Sequence, residues 1–214
     1  MLGCLRCLLF FRSQLLRCGV LAALLVCGCS FGPSRVEVPK LDPAGAAAAA
    51  VQQYDSDQDG NISQSESKAC PGLAGSFKLY DANQDGKIAS AEIQSRLEAM
   101  LGSGIGRMPC MVVVYAGDSG RPIEGAKVRV VPESFLGETI QPGQGLTNDR
   151  GVAKPVTVDA PPGLPGIEFG LYRVQVTHDS LKIPPRYNEA TELGFELSPL
   201  ERNRDRFEFR LKLP

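Results

Sequence analysis

The hydrophobic pattern changes period along the 214 residues. An apolar run, Val20-Leu21-Ala22-Ala23-Leu24-Leu25-Val26, closes a basic N-terminal stretch. Ala44 to Tyr54 is rich in alanine, the strongest helix former, and predicts a helix. Leu73 to Tyr80 predicts a second, with Phe77 and Tyr80 available for a core. Ser90 to Leu101 predicts a third, with Ile93, Leu97 and Leu101 spaced by four along one face. Pro71-Gly72 stops any helix before it, and Gly102-Ser103-Gly104 ends the third. From Pro109 the period falls to two. Met111–Tyr115 is a continuous apolar run, while Ala126, Val128 and Val130 alternate with Lys127 and Arg129. Tyr172, Val174 and Val176 alternate with Arg173, Gln175 and Thr177, and Phe207, Phe209, Leu211 and Leu213 with Glu208, Arg210 and Lys212. Further strands are expected over Val152–Val158 and Glu192–Leu197. Alternation with one polar face marks half-buried antiparallel strands, and roughly seven of them over ~105 residues predict a β-sandwich.

Between the predicted helices lie two acidic segments. DSDQDGNISQSE puts Asp55, Asp57, Asp59, Asn61, Ser63 and Glu66 at positions 1, 3, 5, 7, 9 and 12, with Gly60 at position 6 and Ile62 at position 8. DANQDGKIASAE puts Asp81, Asn83 and Asp85 at 1, 3 and 5, Gly86 at the turn, Ile88 at 8 and Glu92 at 12. Lys87 at position 7 needs to supply only its backbone carbonyl, and Ala89 at position 9 leaves that place to water. Alternate residues of such a loop converge on one centre, and a hard cation such as Ca2+ takes six to eight oxygens at about 2.3–2.6 Å. Without a cation the carboxylates repel one another by about 1 kcal/mol per pair at ~4 Å in water. Both segments resemble the EF-hand, which implies two Ca2+ sites and a short β bridge through Ile62 and Ile88. The close repeat also resembles the dockerin module. Glu66 and Glu92, where dockerins carry Asp, favour compact EF-hands. Only Met100 lies within the pair, so a filled structural pair is expected rather than a sensor with a Met-rich groove.

The N-terminal 28 residues hold Arg6, Arg12 and Arg17, four of the seven cysteines and none of the acidic residues. A basic region, a short apolar one and small residues describe a secretory signal, and the apolar run is too short to span a bilayer. Val26-Cys27-Gly28-Cys29 resembles the bacterial lipobox. That resemblance implies a signal peptide over 1–28, lipidation of Cys29 and a tether over 29–43 on the cell envelope. An ordinary signal peptide with incidental cysteines is the alternative. In an exported protein Cys70 and Cys110 either pair or remain two buried thiols.

Composition narrows the function further. A net charge of −1 offers no basic field for nucleic acid. One histidine argues against a His-rich metal centre. Hydrophobic residues at 43% support a packed core, and 23 Gly with 16 Pro favour turn-rich β structure. No GxSxG, HExxH or Cys-His set supports catalysis, and the chain is expected not to be an enzyme.

Three motifs lie in order in the C-terminal half: Gly120-Arg121-Pro122-Ile123-Glu124-Gly125-Ala126-Lys127-Val128, Thr147-Asn148-Asp149-Arg150-Gly151 and Gly170-Leu171-Tyr172-Arg173-Val174. Together they resemble the carboxypeptidase-regulatory or transthyretin-like domain, whose members are mostly non-catalytic, prealbumin-like sandwiches. Hydroxyisourate hydrolases of that family carry several His and Arg residues and a Tyr-Arg-Gly-Ser C-terminus. This chain ends Leu211-Lys212-Leu213-Pro214, and its one histidine, His178, reads as a strand-end residue.

The expected fold is α+β and multi-domain, an α-helical EF-hand pair over 44–104 followed by an antiparallel, prealbumin-like β-sandwich over 108–214. The expected function is a calcium-binding, lipid-anchored envelope protein with a structural or binding role. Its partners are then the membrane, through the lipid, and an envelope protein or polysaccharide. A dockerin-like module for a cohesin-type partner, or an enzyme accessory or hydrolase acting on a small or polymeric substrate, are the alternatives.

Overall fold

Alanine dictates the first helix, α1 (Pro43–Tyr54). Pro43 opens it, because its fixed φ suits a helix and the first turn has no use for the missing N–H. Ala46, Ala47 and Ala50 are buried, and these small side chains let α1 lie close against α3 (Ser90–Gly102). The computed structural model describes residues 37–117, 119–158, 160, 165–201 and 204–214. The signal peptide, Cys29 and residues 30–36 of the tether lie outside them. Among the described residues no helix is long and apolar enough to cross a membrane.

Pro71 does two jobs. It ends the 3-10 turn Glu66–Ala69 that leaves the first acidic loop, and it starts α2 (Pro71–Tyr80). Leu73, Phe77 and Tyr80 form the buried stripe of α2. In α3 the buried residues are Ile93, Leu97 and Met100, not Leu101, which is half-exposed. The reason is angular. At about 100° per residue, seven steps from Ile93 return within about 20° of its direction, whereas eight overshoot by about 80°.

The β strands form two larger sheets. One has five strands in the order β12 (Gly194–Leu197), β11 (Gly170–Thr177), β6 (Lys127–Pro132), β7 (Gly143–Leu146) and β9 (Val156–Thr157), all antiparallel. The other has β13 (Arg206–Leu211), β4 (Met111–Ala116) and β5 (Arg121–Pro122), with β8 (Val152–Ala153) also on β4. A two-stranded piece joins β3 (Arg107–Met108) to β10 (Ile167–Glu168). The expected purely antiparallel arrangement is corrected at one pair. β13 runs parallel to β4, with Phe207 opposite Val112 and Leu211 opposite Ala116. Alternation fixes which face a side chain takes but not which way a strand runs.

The strand expected over Val152–Val158 is split. Val152–Ala153 pairs with β4, whereas Val156–Thr157 pairs with β7 in the other sheet. Pro155 lies between them and has no N–H for a ladder, so the chain changes sheets there.

Phe195 of β12 stacks on Phe207 of β13 with ring centroids 3.9 Å apart, and it also packs against Tyr172 of β11 at 5.6 Å. These rings bring the five-stranded sheet and the second sheet together. One continuous hydrophobic cluster runs from Ala47 and Leu97 of the helices through Leu171 and Phe195 to Val112 and Leu211. The described residues therefore share one core. Glycine makes the closest approach within it. A Cβ on Gly75 of α2 would lie 2.2 Å from the Gly194 carbonyl oxygen, and one on Gly194 would lie 2.1 Å from the carbonyl carbon of Pro71. Helix α2 thus rests directly on the start of β12.

Cys70 and Cys110 are separate thiols, both buried. Burial pushes the Cys70 thiol well up and the Cys110 thiol up to about 12, so neither is an available thiolate.

Candidate metal centre

Each acidic loop runs from the end of one helix into a three-residue strand, and the two strands meet. β1 (Asn61–Ser63) and β2 (Lys87–Ala89) pair antiparallel, with Ile62 opposite Ile88 and Ser63 opposite Lys87. Both isoleucines are fully buried, each worth about 1.5–3 kcal/mol of apolar burial. The bridge holds the loops side by side while their acidic tips stay in water.

The two loops repeat one hydrogen-bond scheme. Asp55 Oδ1 accepts from Asp59 N–H at 3.2 Å and its Oδ2 from Gly60 N–H at 2.8 Å. Asp81 Oδ1 accepts from Asp85 N–H at 3.0 Å and its Oδ2 from Gly86 N–H at 3.1 Å. Asp57 and Asn83 each receive the N–H two residues on, from Asp59 and Asp85. Asp59 receives the Asn61 N–H and Asp85 the Lys87 N–H, both at 2.9 Å. Gly60 and Gly86 adopt positive φ of 86° and 81°, the left-handed turn that a Cβ would strain.

The position-12 glutamates reach back across their loops. Glu66 Oε1 accepts from Ser56 N–H at 2.7 Å and Asp57 N–H at 3.2 Å. Its Oε2 accepts from Ser63 N–H at 2.8 Å and Ser63 Oγ at 2.7 Å. The Ser63 hydroxyl, followed by these amides, holds the Glu66 carboxyl down at about 2. Glu92 does the same with Ala82 and Asn83 N–H at 3.0 and 3.3 Å and Ala89 N–H at 2.9 Å, without a hydroxyl at position 9.

The oxygens converge as a cation requires. One carboxylate oxygen from each of Asp55, Asp57 and Asp59 lies within 4.8 Å of the others. Oxygens on a shell of radius about 2.4 Å, the calcium–oxygen distance, are separated by at most about 4.8 Å. The first loop fits Ca2+ on that test, with Asn61 and Ser63 beside the acids at positions 7 and 9. In the second loop Asp81, Asn83, Asp85 and Glu92 stand in the matching places.

Two features were missed from sequence. Gln58 and Gln84, both at position 4, take left-handed φ of 63° and 60°. Their shared offset was visible, but glutamine is not a usual residue for that conformation. The other is Lys87, whose ammonium leaves its own loop and pairs with Asp59 Oδ2 of the first.

The helices around the second loop are held by buried acids of the β strands and their connections. Glu133 Oε1 accepts from Gly72 N–H at 2.7 Å, in the first turn of α2, where N–H groups have no helical partner. Its Oε2 receives Arg173 at 2.5 and 3.2 Å. Arg96 of α3 pairs with Glu196, and its guanidinium lies 5.4 Å from the centre of the Tyr80 ring.

The C-terminal motifs also touch. Thr147 donates its hydroxyl to the Ile123 carbonyl at 2.6 Å and accepts from Ala126 N–H at 2.8 Å, joining the first motif to the second. Asn148 Oδ1 accepts from Arg150 and Val152 N–H, both at 3.0 Å. His178 Nδ1 accepts from Ser180 and Leu181 N–H, and its Nε2 lies 2.9 Å from the Glu124 carbonyl. Nδ1 is therefore the unprotonated nitrogen, and Nε2 donates. The histidine ties a turn.

Residues 73–97 match the family described as EF hand. The match spans most of α2, the whole second loop and the first half of α3. No relative of the chain is found among curated proteins.

Proposed function

We propose that the chain is a calcium-binding, lipid-anchored protein of the bacterial cell envelope, non-catalytic, with a structural or binding role. The convergence of Asp55, Asp57 and Asp59 within 4.8 Å carries the calcium reading. The EF-hand match at 73–97 and the repeated glutamate arrangement support it for the second loop. Bound Ca2+ supplies a fixed double charge that replaces mutual repulsion among the carboxylates with attraction to one centre. Asp55, Asp57, Asp59, Asn61, Ser63 and Glu66 hold one ion, and Asp81, Asn83, Asp85, Lys87 and Glu92 the other. A structural pair rather than a sensor is supported by Met100, which is wholly buried, and by the close seat of α2 on the start of β12 at Gly75 and Gly194.

The strands from Met111 onward form the transthyretin-like, prealbumin-like sandwich of this reading, supported by the stacked Phe195 and Phe207 between sheets and by the contact of the two motifs at Thr147. Cys29 carries the lipid, on the strength of Val26-Cys27-Gly28-Cys29. An envelope protein or polysaccharide is the partner class that such a placement offers.

Calorimetry with Ca2+ tests the central claim. Two sites are expected in the wild type, and Glu66→Gln and Glu92→Gln each remove one. Two sites retained in both variants would refute the loop assignment. Labelled palmitate should enter the wild type and not Cys29→Ala, and equal labelling would end the lipoprotein part.

A further inference from the structure

Lys87 occupies position 7 of the second loop, yet its side chain belongs to the first. The bridge register explains the crossing. Ser63 lies opposite Lys87, so the lysine stem starts beside the end of the first loop and its ammonium reaches Asp59 Oδ2. Asp59 is the position-5 acid there, and its other oxygen already receives the Asn61 N–H. The contact is open to water, with the lysine side chain 46% and the aspartate 31% exposed, so the ammonium can swing away without a desolvation barrier.

The donor sets of the loops are unequal. The first has four carboxylates, Asp55, Asp57, Asp59 and Glu66, and a hydroxyl at Ser63. The second has three, Asp81, Asp85 and Glu92, and Ala89 where the hydroxyl would be. More ligand charge binds Ca2+ more tightly, so on donors alone the first loop should fill well before the second. One ammonium on Asp59 offsets the extra charge.

We propose that Lys87 is a tethered counter-cation that links the two loops, resting on Asp59 while the first loop is empty and withdrawing when a divalent ion enters. This inference rests on the calcium reading above. It makes Lys87 a residue that sets affinity. Its positive charge opposes ion entry into the first loop and brings that loop's affinity down toward the second's. Allowing for solvent screening, removing it should tighten first-loop binding about two- to fivefold.

The test uses Lys87→Met in the full chain, which keeps the backbone carbonyl and most of the stem. The Gly60 and Gly86 amides, hydrogen-bonded to Asp55 and Asp81, report each loop separately by NMR as Ca2+ is added. In the wild type both should respond over the same calcium range. In Lys87→Met the Gly60 midpoint should move to about two- to fivefold lower calcium, and further than the Gly86 midpoint, which senses the loss only through the weaker pull of the ammonium on Asp85. Lys87→Arg should follow the wild type. A second readout is the melting temperature in EDTA, which should fall for Lys87→Met because the empty acidic loop loses its counter-charge. Should the methionine variant not fold, Lys87→Gln serves in its place. An unchanged Gly60 midpoint, with both glycines still responding, overturns the role of Lys87 and leaves calcium binding intact. No response at either glycine in the wild type overturns both.

Discussion

Arg96 and Glu196 form a two-pronged ion pair between α3 and β12, with Nε to Oε2 at 2.6 Å and Nη2 to Oε1 at 2.7 Å. The Glu196 side chain is wholly buried and that of Arg96 is 14% exposed. Arg96 stands one helical turn beyond Glu92, which closes the second loop. It also reaches Glu201 at 3.2 Å. A residue of the five-stranded sheet therefore fixes the helix that leaves the second acidic loop.

Breaking such a pair from one side leaves a charge stranded in the core. Arg96→Met should destabilise the protein by about 3–5 kcal/mol, because Glu196 then has no cation. The double variant Arg96→Met with Glu196→Leu should recover most of that loss, since two apolar side chains remove the unpaired charge. Urea unfolding followed by circular dichroism measures both. A single-variant loss under about 1 kcal/mol would show that the acid finds another partner.

Gly75 and Gly194 face each other with no room for a side chain on either. Each substitution to alanine forces a Cβ to within about 2.2 Å of backbone atoms, and backbone cannot swing aside. Gly75→Ala should be strongly destabilising although alanine is the better helix former by about 1 kcal/mol. Gly102→Ala is the control, since a Cβ there meets nothing within 4 Å. Thermal melts should put Gly75→Ala far below the wild type and Gly102→Ala near it. Equal melting of the two variants would mean that α2 can lift from β12 at little cost.

What could be read from the sequence was what lies close together in it. The loop residues Asp55 to Glu66 and Asp81 to Glu92 are contiguous, and the geometry that joins them is local. Helix α1 was legible in its alanines, and β6, β11 and β13 in their alternation. β7 was not, because Gly143-Gln144-Gly145-Leu146 has two glycines where apolar side chains would mark a strand. The parallel pairing of β13 with β4 was hidden because direction leaves no periodic trace. Glu133 and Glu196 were hidden for another reason. Their partners Gly72 and Arg96 lie 61 and 100 residues away, and nothing local distinguishes a buried acid from a solvated one. Leu101 was placed on the apolar face by counting in fours, where the helix itself turns in steps of 3.6.

Calcium should stabilise the helices and the β strands together, not the helices alone. The hydrophobic cluster is continuous from α1 to β13, and Glu133 and Glu196 bind both helices that flank the second acidic loop to the β structure. An ion that binds only the folded state adds about 2.7 kcal/mol per site at a free concentration a hundred times its dissociation constant. For a unit of this size each kcal/mol moves the melting temperature by about 2–4 °C, so two filled sites should raise it by about 10–20 °C. Differential scanning calorimetry in EDTA and in saturating Ca2+ should show one endotherm that moves as a whole. Near-ultraviolet circular dichroism reports the tyrosines of both parts as one band, since Tyr172 lies in the sheets and Tyr80 at the end of α2, just before the second loop. That band should be lost in a single step. Two endotherms, with only the lower one responding to calcium, would mean that the helical segment unfolds by itself and that the contacts at Gly194, Glu133 and Glu196 are too weak to couple it to the strands.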